Sequence, residues 1–222
     1  MRLNLTEFRP RTGPREHRVV RPRHTLRHTS LTAPEPIGLL LGDHDGLKQL
    51  AGLFSFAAYS RHTVVHVPLR DGVPPDEGWG ERVDLVLAHH SYGLRPSRWP
   101  ALRRALKAGT PLAVRTDEAR TRRDADAFLR RRARADHRDE LWHATHARTL
   151  FLFGDRSSFA ETAMGCAYAA GWGPRQKHVA EGRSALMTGI RLKDGPGGGH
   201  PYEVLVSFKP YPPYAHFKRP GD

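Results

Sequence analysis

Arg82–Glu118, RVDLVLAHHSYGLRPSRWPALRRALKAGTPLAVRTDE, is the stretch on which a reading of the fold turns. Val83 to Ala88 is a short apolar run with branched residues, the pattern of a strand buried on both faces. His89-His90-Ser91-Tyr92-Gly93 breaks that run with polar groups. Ser97 is placed to cap a helix, Pro100 is tolerated in its first turn, and Gly109 suits a positive φ at its end. Leu112 to Val114 opens a second strand, which ends in Arg115-Thr116-Asp117-Glu118. A strand, a crossover helix and a strand in so short a span predict a parallel pair within an α/β sheet.

The same alternation extends in both directions. Toward the N-terminus, Ile37 to Leu41 reads as a buried strand running into Gly42-Asp43-His44-Asp45-Gly46. Leu47, Leu50, Ala51, Phe54 and Ala58 then share one helical face, and Leu53 and Ala57 widen it. Thr63 to Leu69 gives another strand, followed by a loop rich in Gly, Pro and acid from Asp71 to Gly80. Toward the C-terminus, Asp117 to about Ala144 reads as a helix, and eight Arg against seven acids between Asp117 and Glu140 predict a solvated, ion-paired face. Leu150 to Phe153 is a fifth strand. Ser158 and Glu161 have capping-box spacing at the head of a small-residue helix, AETAMGCAYAAG. Ser184–Leu192 and Tyr202–Phe208 flank a glycine-rich turn and predict an antiparallel hairpin.

Five strands alternating with helices predict a three-layer, Rossmann-like α/β domain with a mostly parallel five-stranded sheet in the flavodoxin-like order 2-1-3-4-5, extended by the C-terminal β-hairpin. The chain divides on this reading into a basic arm at 1–35, the α/β domain at 36–173, and the hairpin with a basic aromatic tail at 174–222. The arm is dense in Arg, His, Thr and Pro, and reads either as a strap along the domain or as a mobile polyanion-binding segment.

The formal net charge is +13, from 30 Arg and 6 Lys against 23 acids. Residues 1–35 hold eight Arg and three acids, whereas 36–173 hold twenty basic and sixteen acidic residues, so the excess per residue sits toward the ends. Basic charge suggests nucleic acid, another polyanion or an acidic membrane surface, but the near balance of the central domain weakens that suggestion for all but the ends. Cys166 is the one cysteine, which excludes an internal disulfide and a Cys-rich zinc site. No run of eighteen apolar residues is present, and a cytoplasmic protein without a transmembrane segment is expected.

In an open parallel sheet, ligands bind outside the carboxyl ends of the strands, at the point where strand order reverses. The segments that leave the expected strands there are GDHDG and HHSYG, then Thr116 and Asp117, then Asp155-Arg156-Ser157-Ser158. Asp43, His44 and His90 are the candidates for orientation or proton transfer. Ser91, Thr116, Asp117, Arg156, Ser157 and Ser158 are the candidates for holding an anion beside a helix N-terminus. Each has a plainer reading as a cap or a turn residue. No Gly-x-Gly-x-x-Gly, Gly-Lys-Ser/Thr or Gly-x-Ser-x-Gly is present, so no cofactor is specified. His66 lies within a strand, where a buried histidine is usually structural.

Ser91-Tyr92 followed by Ser97-Arg98-Trp99 resembles the segment of TIR domains that precedes their NAD-cleaving glutamate. The matching position here is Arg103, so that activity is not carried over. The expectation is therefore the binding of a phosphorylated or anionic ligand, a nucleotide or nucleic acid, at the strand-exit face. Two alternatives stand beside it: a metal-assisted hydrolase using Asp43, His44, Asp45 and His89, and a non-catalytic assembly protein with basic arms.

Overall fold

The computed structural model describes residues 1–71, 80–132, 141–193 and 202–211. Along the chain the strands are β1 (Arg2–Phe8), β2 (Arg11–Thr12), β3 (Arg15–Glu16), β4 (Val19–Pro22), β5 (Thr29–Leu31), β6 (Ile37–Gly42), β7 (Val64–Val67), β8 (Asp84–His89), β9 (Thr110–Arg115), β10 (Trp142–Thr145), β11 (Thr149–Gly154), β12 (Ala185–Arg191) and β13 (Glu203–Phe208). The helices are α1 (His44–Ala58), α2 (Trp99–Arg104), α3 (Glu118–Arg132), α4 (Arg156–Trp172) and the single turn α5 (Lys177–Ala180).

All five segments read as core strands are strands, but they do not lie side by side. A seven-stranded mixed sheet runs β10-β11-β8-β7-β4-β1-β9, and a four-stranded sheet runs β12-β13-β6-β5. The mostly parallel five-stranded Rossmann-like sheet is thus corrected. β6 belongs to the smaller sheet, where β13 pairs with it in parallel and β5 antiparallel, so both its edges are taken. β7 and β8 are antiparallel, with Val65 opposite Leu87. β9 is not beside β8; it closes the far edge of the large sheet against β1, with Arg2 opposite Arg115. Parallel pairing survives between β8 and β11 and between β4 and β7.

The displacing strands come from residues 1–35. RLNLTEF buries Leu3 and Leu5 and leaves Arg2 and Asn4 exposed, the alternation of a strand with one covered face. Val19, Val20, Leu26 and Leu31 are also buried, so this segment is sheet and core rather than a mobile arm. Three local expectations are corrected too. Part of the helix expected to reach Ala144 is β10, paired antiparallel to β11. The capping box at the head of α4 joins Asp155 to Ser158, not Ser158 to Glu161. Ser97 makes no cap, and the positive φ near the end of the α2 segment is at Ala108; Gly109 serves instead for close approach, since a side chain there would collide with Thr6 and Phe8.

The two faces of the large sheet are covered unequally. Leu3, Leu5, Val20, Val65, Leu85, Leu87, Leu150 and Leu152 point to one face, into a core shared with α1, α4 and the smaller sheet. α1 is buried almost all round, and Phe54 meets Phe159 of α4 with ring centroids 6.2 Å apart. The alanines of α4 let the two helices approach closely, which is the structural use of its small-residue run. Val19, Val64, Val86, Ala88 and Phe151 point to the opposite face, beneath Trp99 and Leu102 of α2. α2 is only six residues long and spans just that half. Beyond it, β4, β1 and β9 expose Arg23, Arg2, Asn4, Pro111, Ala113 and Arg115. The expected hairpin turn at 195–199 and the aromatic tail beyond Tyr211 lie outside the described residues.

Candidate functional site

The strand-exit residues do not all gather in one place: the parallel pairing of β8 with β11 sets His89 opposite Gly154, next to Asp155 and Arg156, whereas the exit of β6 lies elsewhere. Asp43 caps α1, its carboxylate accepting the Gly46 amide at 2.8 Å, and burial raises its pKa. The His44 Nδ1–H donates to the Ala170 carbonyl at 3.0 Å, near the end of α4. Arg156 begins the same helix, so about 21 Å of helix separates the two positions. His90 is exposed with its ring tilted against that of His89, whose Nδ1 is engaged by the Ser91 hydroxyl at 2.8 Å. Arg156 is committed to Asp124 at 2.6 Å, a contact that raises the guanidinium pKa. Asp124 also accepts the Tyr59 hydroxyl, and although burial opposes ionisation these two partners hold its carboxyl below the usual range.

The remaining candidates are similarly engaged. Ser157 accepts from Arg131 at 3.0 Å, and Ser158 completes the cap with Asp155. Asp117 accepts the Arg120 amide at 2.9 Å, and the Thr116 hydroxyl donates to the Met1 carbonyl at 3.3 Å. One groove of about 190 Å³ between α1, α3 and α4 does bring His44 and Thr116 together, with Lys48, Ala51, Arg122 and Met164 on its walls. No three His, Cys, Asp or Glu side chains are arranged to hold a metal ion among the described residues, so the set Asp43, His44, Asp45 and His89 does not form a metal centre.

A denser constellation lies elsewhere, on the sheet face that α2 half covers. Asp84 opens β8 with its side chain 3% exposed. Its Oδ1 accepts the amides of Leu69 at 3.1 Å and Arg70 at 3.3 Å. Its Oδ2 takes the Arg70 guanidinium at 2.5 Å and Arg103 of α2 at 3.5 Å. His66 Nε2 stands 3.6 Å from the same oxygen, too far for a hydrogen bond, and its ring meets Trp99 edge-on at 4.9 Å. Burial pushes the Asp84 carboxyl up, but His66 and Arg70 pull it further the other way, to about 2. Burial also holds the His66 imidazole below its ordinary value, against the pull of Asp84.

Arg21 joins this group from β4. Thr6 of β1 lies opposite Arg21, and the pairing of Val20 with Val65 carries Arg21 alongside His66. Partial burial lowers the Arg21 pKa, and the charge of Asp84 offsets that only in part. From there the uncovered half of the sheet continues through Arg23 and Asn4 to the cross-strand pair Arg2 and Arg115. Arg2, Arg21, Arg23 and Arg115 form no salt bridge among the described residues. Two strand spacings separate β9 from β4, so these arginines spread across about 10 Å of sheet.

Asp84, His66, Arg2 and Arg21 lie along strands or at their starts, away from the strand exits where the candidates from sequence fall. The alternation of Arg2, Asn4 and Thr6 with Leu3 and Leu5 was the available signal, since it puts the polar set on one face. No protein-family model, curated protein or solved structure matches the chain.

Proposed function

We propose that the protein binds nucleic acid through its phosphate backbone, on the half of the large sheet that α2 leaves bare. The observation that carries this reading is the set Arg2, Arg21, Arg23 and Arg115 on one open face, with no carboxylate bridged to any of them among the described residues. Arginines held apart by a sheet keep their charge in place at little further entropic cost, and guanidinium pairs well with phosphate. Arg2 and Arg115 are directly opposite each other, an arrangement that repels unless an anion lies over it.

The chemistry of the face also bears on specificity. Between the arginines lie Asn4, Thr6, Pro111 and Ala113, with no exposed aromatic ring for base stacking. Contacts to phosphate fix position without reading sequence, so binding is expected to be sequence-independent and strongly salt-dependent.

The test is the double charge reversal Arg2→Glu with Arg115→Glu, titrated against labelled oligonucleotides at several salt concentrations. Both side chains are exposed, so the fold is expected to hold. Affinity should fall by at least tenfold, and the dependence of log K on log salt should flatten by about two phosphate contacts' worth. Wild-type binding that is insensitive to salt, or unaffected by the reversal, overturns the reading.

A further inference from the structure

The cluster around Asp84 is out of electrostatic balance. Arg70 and Arg103 contact one carboxylate while Arg21 stands alongside within reach of its charge, and no second acid pairs with any of the three among the described residues. Asp84 is already saturated: two amides on one oxygen, two guanidiniums on the other. His66, 2% exposed, lies beside it with both ring nitrogens lacking a hydrogen-bond partner. Buried donors without acceptors are costly, and clustered arginines repel one another. Both costs fall if an oxyanion enters beside Arg21, Arg70 and Arg103.

The cluster is reachable from one side. The Arg103 side chain is 34% exposed, and Arg21, half-buried on β4, adjoins the bare half of the sheet. On the other side the face is closed, because Trp99 and Leu102 pack onto Val86 and Phe151 directly beyond Asp84. A nucleic-acid strand lying over Arg115, Arg2 and Arg23 therefore stops at the cluster and does not pass through it.

Resting on the proposed nucleic-acid reading of the sheet face, we infer that Arg21, Arg70, Arg103 and His66 form a seat for the terminal phosphate monoester of the bound strand. A terminal monoester carries about −1.5 to −2 charge at neutral pH, against −1 for an internal diester, and so matches the two uncompensated guanidiniums. It also presents three terminal oxygens, enough for bidentate Arg contacts with one oxygen left for His66. The sheet arginines would then supply affinity along the strand, and the seat would select its end.

The experiment compares one oligonucleotide carrying a 5′-phosphate, a 3′-phosphate or neither, titrated against the full chain and against Arg103→Gln. The wild type should bind one phosphorylated form about tenfold more tightly than the unphosphorylated one, a difference of about 1.4 kcal/mol. Which form wins gives the polarity of the bound strand. Arg103→Gln should abolish that preference and leave the unphosphorylated affinity unchanged. If Arg103→Gln does not fold, the wild-type comparison of the three oligonucleotides stands by itself. Equal affinity for all three oligonucleotides overturns the seat while leaving the sheet-face reading intact. If none binds, the sheet-face reading fails, and inorganic phosphate decides the seat alone. A rise in melting temperature with phosphate, lost in Arg103→Gln, then supports it, and no rise overturns it.

Discussion

Asp84 shows how one side chain can hold a loop, a strand and a helix together. It ties the start of β8 to the amides that follow β7 and to Arg103 of α2, all from within the protein interior. Replacing it with Asn keeps the shape but removes the charge that faces Arg70, Arg103 and Arg21. Loss of one partner from a buried ion pair typically costs about 3–5 kcal/mol, and Asp84→Asn should lower unfolding stability in urea by that order. The pH dependence follows from the same contacts. The folded carboxyl titrates at about 2, below its unfolded value, so its contribution is complete above about pH 4 and is lost as pH falls through about 2. That contribution is about 2 kcal/mol. His66 acts earlier on acidification: its folded pKa is depressed, so the unfolded chain takes up the proton first and stability begins to fall below about pH 6.5. Urea titrations across this range should show both declines in the wild type, and only the upper one in Asp84→Asn. A profile unchanged by the substitution would remove Asp84 from this role.

β1 is the element on which the fold depends and the one least visible in the sequence. Its two neighbours, β4 and β9, are joined only through it. Deleting residues 1–8 should therefore leave the remaining chain unable to complete the large sheet. Leu5→Ala alone, in the shared core, should cost about 2–5 kcal/mol. A truncated chain with the full chain's thermal transition would refute this. Individual elements were legible where apolar residues run on or recur at helical spacing: LLLG, DLVLAH and TLFLFG are strands, and LKQLAGLF lies in α1. The hairpin segments were readable too, and β12 and β13 pair antiparallel. Their order was not readable, since Arg2 meets Arg115 and Gly38 meets Val204 across most of the chain, and nothing local encodes such pairings. The alternation of Leu3 and Leu5 in RLNLTEF is short and sits in a segment whose density of Arg and His reads as solvated charge. The candidate site was hidden too: Asp84 falls inside the apolar run Val83–Ala88, and only the antiparallel pairing of β7 with β8 brings His66 and Arg70 to it.

On the scale of the whole molecule, the two sheets share one core. Leu40 and Val206 from the small sheet, Leu85 and Leu152 from the large one, and Phe54 and Phe159 from the helices between them are all buried together. Neither sheet keeps its inner face covered without the other, so urea unfolding should be one cooperative transition with coincident fluorescence and circular dichroism curves. Two separated transitions would instead mean that the sheets are independent units. No described helix is long and apolar enough to cross a membrane. Cys166, fully buried on α4 in that shared core, has its thiol pKa pushed up to about 12 by burial. A thiol so placed reacts with alkylating reagents only when the molecule opens, because both its access to solvent and its ionisation are withheld in the native state. The chain thus carries a built-in clock: the labelling rate of this one sulfur, followed in dilute denaturant, times the opening of the core without any probe having to be engineered in.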